Sequence, residues 1–245
     1  MPNSAVLLTG GVDVQADLFY WTIRAWAPFL TSWNVAHGVA LSWDQIDSVM
    51  NTEWRKASGE SMQVTLVGVD SGNQTDEVYD FCALNAEWAV PVKGSSHAML
   101  SRFKVSVIDR PSSKANGMRL VLVDGGQYKD MIASRLRRPN GKGSWMVYKD
   151  CDAEYADQIC SEEKVADPRS KDGSVMIWHP KSSHAANHYL DAEVYAAAAA
   201  DLLHVRYMEP EASDQAPAAE PARHKADSRG FVPTGKPWLS GGKWL

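Results

Sequence analysis

"LLTGGVDVQAD" (7–17) decides how the chain folds. Its apolar opening, β-branched content and closing glycines and aspartate read as a strand that delivers Asp13 at its end. "VTLVGVDSGNQT" (64–75) repeats the ending, with Gly68-Val69-Asp70 echoing Gly11-Val12-Asp13. Between them lie two aromatic, β-branched runs, "LFYWTIRAWAP" (18–28) and "TSWNVAHGVAL" (31–41), punctuated at Pro28 and Thr31. The three early runs form an antiparallel meander. "MQVTLVGVD" (62–70) is continuously apolar, the mark of a strand buried on both faces in a parallel pairing.

The remaining elements follow the same logic. "SWDQIDSVMNTEWRKAS" (42–58) places Ile46, Val49, Met50 and Trp54 on one face behind the N-cap Ser42, which predicts an amphipathic helix. "TDEVYDFCALN" (75–85) predicts a helix capped by Thr75, with Asp76 and Glu77 in its first turn. "WAVPVKG" (88–94) is a short strand, and residues 95–120 a polar, basic loop or hairpin. "MRLVLVD" (118–124) is a strand and "QYKDMIASRLRR" (127–138) a helix. "SWMVYKD" (144–150) is extended, and "AEYADQICSEE" (153–163) a short helix. "KVADPRSKDGSVMIWHP" (164–180) is a hairpin turning near Lys171-Asp172-Gly173. Ala-rich "HAANHYLDAEVYAAAAADLLHV" (184–205) is the clearest helix. A meander whose first strand also neighbours a parallel βαβ strand is the RNase H-like arrangement, so the expected fold is an α/β, RNase H-like mixed sheet flanked by helices.

Net charge is −5 over 245 residues and 44% of residues are hydrophobic, enough for a substantial core with no bulk positive charge to advertise nucleic acid. Charge is nevertheless segregated. Ser101–Lys149 carries a surplus of about eight positive charges, a plausible phosphate-contacting band or else a solvated face, while Asp150–Asp167 is acidic. Cys82, Cys151 and Cys160 lack the spacing of a zinc ribbon or disulfide framework. There is neither an apolar run long enough to span a membrane nor a leader-like N-terminus. The folded domain is expected to occupy 1–208. The Pro/Ala/charge-rich tail, 209–245, is expected to be flexible and to end in "GKPWLSGGKWL" (235–245), a docking motif or an anchor on the domain. "GFVPTGKP" (230–237) mimics a P-loop but has Pro237 where a hydroxyl must bind Mg²⁺, so it is set aside.

Asp191 completes the candidate site. His184, His188, Asp191 and Tyr195 recur at i, i+4, i+7 and i+11, a polar stripe without the Lys, Glu or Arg of a solvated face. "HAANH" lacks the glutamate of a zinc-protease helix, so its histidines read better as phosphate contacts or carboxylate orienters than as zinc ligands. Each aspartate alone has a bland reading. Asp13 could be a turn residue, Asp70 could be held by turn amides, and Asp17 could be an auxiliary ligand or the start of the next strand. Together, Asp13, Asp70 and Asp191 supply the hard oxygen ligands that Mg²⁺ or Mn²⁺ prefers. Two such ions about 3.5–4 Å apart clamp the attacking and leaving oxygens of a phosphodiester.

"GVDVQAD…W", "VDSGNQTDEVYDFC", "VPVKG", "YADQICSEEKV" and "W…KSSHAANHYLDAEVYAAAAA", in this order from about Gly11 to Tyr207, resemble the C-terminal nuclease domain of lambda-like phage terminase large subunits. The resemblance implies a metal-dependent endodeoxyribonuclease that cuts concatemeric phage DNA during packaging in the host cytoplasm. It implies two divalent ions held by Asp13, Asp70 and Asp191, with Lys93 as a recurring lysine near the site; Lys93, His184 or His188 is then expected to neutralise charge on the scissile phosphate. Implied partners are double-stranded DNA, the terminase small subunit and the capsid portal. The ATPase half of such subunits is absent here, which suits an excised domain. The competing readings are another RNase H-like nuclease, of resolvase or transposase type, and a non-catalytic packaging or capsid-docking module.

Overall fold

A computed structural model describes residues 1–170 and 172–210. Three strands open the chain: β1 (Leu7–Val14), β2 (Phe19–Ala27) and β3 (Thr31–Ala40), paired antiparallel as a meander. Helix α1 (Trp43–Met50) and a small hairpin of β4 (Trp54–Arg55) and β5 (Ser61–Met62) lead into β6 (Leu66–Asp70), which runs parallel to β1. Helix α2 (Thr75–Leu84) crosses to β7 (Ala89–Gly94), parallel to β6. A hairpin of β8 (Phe103–Val107) and β9 (Arg119–Val123) follows, and then α3 (Gly125–Leu136), β10 (Trp145–Met146) and α4 (Ala153–Ile159). The hairpin of β11 (Glu162–Ala166) and β12 (Met176–Pro180) precedes α5 (His188–Leu202).

Eight strands form one mixed sheet in the order β10-β3-β2-β1-β6-β7-β9-β8. The antiparallel meander continued by parallel β6 and β7 is the RNase H-like order expected from the sequence. Side-chain alternation divides the core in two. Leu8, Val12, Val67 and Val69 pack on one face with Ile46 and Met50 of α1 and Val78 and Phe81 of α2. Val92, Val121 and Val123 pack on the other with Tyr128 and Ile132 of α3, Tyr155 of α4 and Leu190 and Val194 of α5.

Several local expectations are corrected. The helix beginning at Trp43 ends at Met50, because Trp54 pairs with Met62 in a hairpin rather than continuing the helical face. Gln74, in the left-handed region at φ 46°, precedes α2, and the Thr75 hydroxyl donates back to Ser71 O (2.9 Å) instead of capping. Residues 162–163 begin β11 rather than extending α4. The final helix starts at His188, not His184. Apart from Glu209 and Pro210, the tail and its two tryptophans lie outside the described residues.

Candidate metal centre

Two Gly-Val-Asp triplets build the floor of the site. In β1 and β6, Val12 pairs with Val69 in parallel register, so Asp13 and Asp70 end neighbouring strands side by side. Alternation puts Gly11 and Gly68 on the same face as the two aspartates, facing α5. That helix packs down to the backbone. An ideal Cβ on Gly11 would lie 1.9 Å from Ala192 O, and one on Gly68 would lie 2.8 Å from Tyr195 O. Thr9, on the same face, donates its hydroxyl to Ala196 O (2.8 Å). Each glycine therefore admits the helix, and the aspartate two residues on points at the helix's first turns, where Asp191 and Tyr195 lie.

The three aspartates have different partners. Asp13 is nearly buried and its Oδ2 accepts from Gln15 Nε2 (2.7 Å) and pairs with His188 Nδ1 (2.8 Å). The His188 ring stacks on Tyr20 with centroids 4.4 Å apart. The hydrogen bond to Asp13 raises His188 above the usual histidine range despite partial burial. Among the described residues, Asp70 accepts one backbone hydrogen bond, from Gly72 N (3.0 Å). Burial pushes its carboxyl up to about 6 against that bond, and the charges of Asp13 and Asp191 add to the rise. Tyr195 lies beside it, its hydroxyl held well above the ordinary tyrosine value by burial and by the Asp70 charge. A contrasting strand-end acid, Asp124, is consumed locally: it accepts from Gln127 N (3.0 Å), capping α3, and from Met99 N (2.8 Å).

Asp191 belongs to a closed ring that the sequence did not disclose. Lys129 of α3 bridges Asp191 Oδ1 (2.9 Å) and Glu162 Oε1 (2.7 Å). Asn187, just before α5, donates its Nδ2 to Asp191 Oδ2 (2.9 Å) and to Glu162 Oε1 (2.7 Å). Burial alone would lower Lys129, but the two carboxylates hold it above its ordinary value. Burial raises Asp191 even against the Lys129 charge. Isolated Lys129 and Glu162 gave no periodic signal; only the fold joins α3 to β11.

Of the sequence-derived candidates, Asp13, Asp70, Asp191 and His188 come together. His184 does not: it is exposed before α5, in a hollow with Glu154, Asp157 and Lys181. Asp17 is exposed in the β1–β2 turn. Lys93 is exposed and, following Val92 on β7, alternates to the face opposite Asp70; the lysine that the structure sets against the acids is Lys129. Among the described residues, no three His, Cys, Asp or Glu side chains converge as a formed metal cage. The carboxylates are instead turned toward Gln15, His188, Lys129 and Asn187. The donors nevertheless fit a hard divalent cation: all are carboxylate oxygens, and Asp70, raised first by burial and further by the Asp13 and Asp191 charges, is an acid whose ionised form a cation would favour.

A ≈ 690 Å³ cleft opens over Asp191 and Tyr195, between Ser95, the N-terminus of α3 and the β11–β12 hairpin. Behind it lies a second buried cluster. Fully buried Arg24 of β2 pairs with fully buried Glu193 of α5 (2.6 Å), which also accepts from Thr22, Asn34 and Tyr155. No described helix is long and apolar enough to cross a membrane.

The large subunit of terminase from Escherichia phage lambda is 24% identical over 225 residues, 81% of this chain. The chain spans about a third (33%) of that relative's length. Among solved structures, the manganese-bound nuclease domain of the large terminase g2p from bacteriophage SPP1 aligns over 78% of this chain and 85% of its own, with 12% identity and a TM-score of 0.38. Residues 1–212 match the family described as terminase large subunit gpA, endonuclease domain, and this chain belongs to that family.

Proposed function

We propose that the chain is a divalent-metal-dependent endodeoxyribonuclease that cuts concatemeric phage DNA for packaging, with Asp13, Asp70 and Asp191 as the ligands of two Mg²⁺ or Mn²⁺ ions. The observation that carries this reading is the in-register pair of strand-end acids, Asp13 and Asp70, beneath Asp191 of α5. Asp13 belongs to the central strand of the site and is the ligand best placed to be shared. Bound divalent ions would supply a deprotonated water and stabilise the leaving oxygen. His188, fixed by Asp13 and by its stack on Tyr20, is poised to hold a proton or a phosphate oxygen at the rim. Tyr195 beside Asp70 keeps its proton and can donate it there in a hydrogen bond. Lys129 orients Asp191 from α3. Lys93 sits at the end of β7, one strand beyond Asp70, and would act from the rim on the phosphate backbone rather than among the acids.

Duplex DNA is the proposed substrate, and the terminase small subunit and the capsid portal are the proposed partners of the whole protein. The folded nuclease unit is proposed to end near residue 208, with 209–245 as a docking tail. The test is cleavage of supercoiled plasmid with Mn²⁺ or Mg²⁺. Wild-type protein should nick it and lose that activity in EDTA, and Asp70→Asn should lose at least about a thousandfold while keeping its thermal unfolding temperature. Nicking by Asp70→Asn at the wild-type rate would overturn the assignment. A four-way junction assayed alongside separates a resolvase, which would prefer it, from a packaging nuclease.

A further inference from the structure

The basic stretch 101–149 is not one uniform surface. Arg110 pairs with Asp76 (2.8 Å) and Lys114 with Asp80 (2.5 Å), both along α2. Lys129 is spent on Asp191 and Glu162, and Lys142 lies over the Phe29 ring. A different group converges. Arg102, Arg135 and Arg138 line one hollow of ≈ 420 Å³ on α3, together with Gln127 and Ser134. The Arg102 guanidinium rests on Met131 Sδ (3.5 Å), which Arg206 contacts from the other side (3.5 Å).

Three features distinguish this hollow from a solvated face. Arg135 is anchored: its Nη1 donates to Gly143 O (2.7 Å), Phe29 O (3.2 Å) and Leu30 O (3.4 Å), so its charge is held in place rather than free to swing away. Burial lowers its pKa, and the like charges of Arg138 and Arg102 lower it further, so the three guanidinium groups repel one another as they stand. The nearby acids make their ion pairs elsewhere, although the Asp201 charge still reaches Arg102 and Arg135. Asp130, in the hollow's wall, takes Lys164 on both oxygens (2.7 Å each), and Asp201 is paired with Arg206 (2.7 Å). Neither Arg102 nor Arg138 meets a carboxylate among the described residues. Three arginine forks converging with none of them ion-paired in the hollow suit an oxyanion, phosphate above all.

The hollow also has a direction. Gln127 and Asp130 line both it and the cleft over Asp191, so the two depressions meet across the first turns of α3. We propose that the Arg102–Arg135–Arg138 hollow binds a backbone phosphate of duplex DNA and holds the strand that runs from the Asp191 cleft over the start of α3. This rests on the cleft being where DNA is cut. A free phosphate ion shares the ligand chemistry, so the test separates the two sources.

The experiment measures affinity for a short duplex across a salt series, without cleavage, for the wild type, Arg102→Gln/Arg138→Gln and the equally charged control Arg110→Gln/Lys114→Gln. The first double variant should bind about tenfold more weakly at low salt, with the slope of log K against log [salt] reduced by about one phosphate contact. The control should change less than about twofold. Arg102→Lys/Arg138→Lys keeps the charge and should recover the slope, which guards against a folding defect. Equal losses in both Gln variants, or none in the first, would overturn the proposal. So would a stabilisation of wild-type protein by millimolar inorganic phosphate that vanishes in Arg102→Gln/Arg138→Gln while its DNA affinity stays at the wild-type value. Binding requires no catalysis, so a wild type that fails to nick would refute the nuclease reading and leave this result intact.

Discussion

Gly11 and Ala192 are in backbone contact: the space a Gly11 side chain would occupy is taken by the Ala192 carbonyl oxygen, 1.9 Å from an ideal Cβ, and by Ala196 N at 2.6 Å. Neither obstacle is a side chain that can rotate away. Gly11→Ala should therefore push α5 off the sheet, costing at least about 3 kcal/mol, at the upper end of overpacking losses. Gly68→Ala, 2.8 Å from Tyr195 O, should cost less, and Gly94→Ala, with open space around it, almost nothing. Urea unfolding of the three variants should reproduce that order.

Glu193→Gln leaves Arg24 charged and without a full partner in a site that water does not reach. A loss of about 3–5 kcal/mol is expected. Arg24→Met/Glu193→Leu removes both charges and should recover much of it. Burial by itself would raise Glu193, but Arg24 and the hydrogen bonds from Arg24, Tyr155 and Thr22 hold its carboxyl below the ordinary value. The pair's stabilisation is therefore present above the unfolded glutamate value of about 4.3 and disappears as pH falls through the lower folded value. Wild-type protein should lose stability below about pH 4.3 more steeply than Glu193→Gln. Equal slopes would show that the pair does not titrate with folding.

Lys129→Met strips the ammonium from between Asp191 and Glu162. Buried Glu162 and half-buried Asp191 then share Asn187 alone, and a destabilisation of about 2–3 kcal/mol is expected, less than for a fully buried pair. Adding Glu162→Gln should restore part of that, giving a coupling well above the roughly 0.5 kcal/mol seen between independent sites. Additive losses in a double-mutant cycle would show that the ring is not a unit.

Mn²⁺ added to the protein without DNA should raise its thermal midpoint. At a hundredfold excess over Kd the gain is about 2.7 kcal/mol. Asp13→Asn, Asp70→Asn and Asp191→Asn should each abolish most of it, and Lys93→Met should not. A full Mn²⁺ shift in Asp70→Asn would remove that residue from the ligand set.

The strands and the three acids were legible because they depend on local pattern. Apolar, aromatic and β-branched runs closed by turn residues marked β1 to β3, a continuous apolar run marked β6, and Gly-x-Asp at both strand ends marked the floor. The chain from His184 to Asn187 looked helical by composition, yet Asn187 turns its side chain to Glu162 and Asp191, and the helix begins after it. Most opaque were pairs far apart in sequence. Arg24 and Glu193 are separated by 169 residues, and nothing in either neighbourhood names the other. A faint signal existed: Arg24 is the sole charge in "LFYWTIRAWAP", and Glu193 lies off the polar stripe of its Ala-rich helix. A buried charge in such settings requires a partner, which a search for periodicity does not supply.

Five consecutive alanines, Ala196–Ala200, give α5 a smooth underside. Helix backbone laid on bare glycine offers few side-chain knobs to stop a helix creeping lengthwise, and one turn of slip, about 5.4 Å, would carry Asp191 away from Asp13 and Asp70. The Arg24–Glu193 bond crosses that sliding plane two residues from Asp191. It works as a locating pin: its worth lies less in clamping strength than in indexing the helix, so that the third carboxylate returns to the same place each time the chain folds.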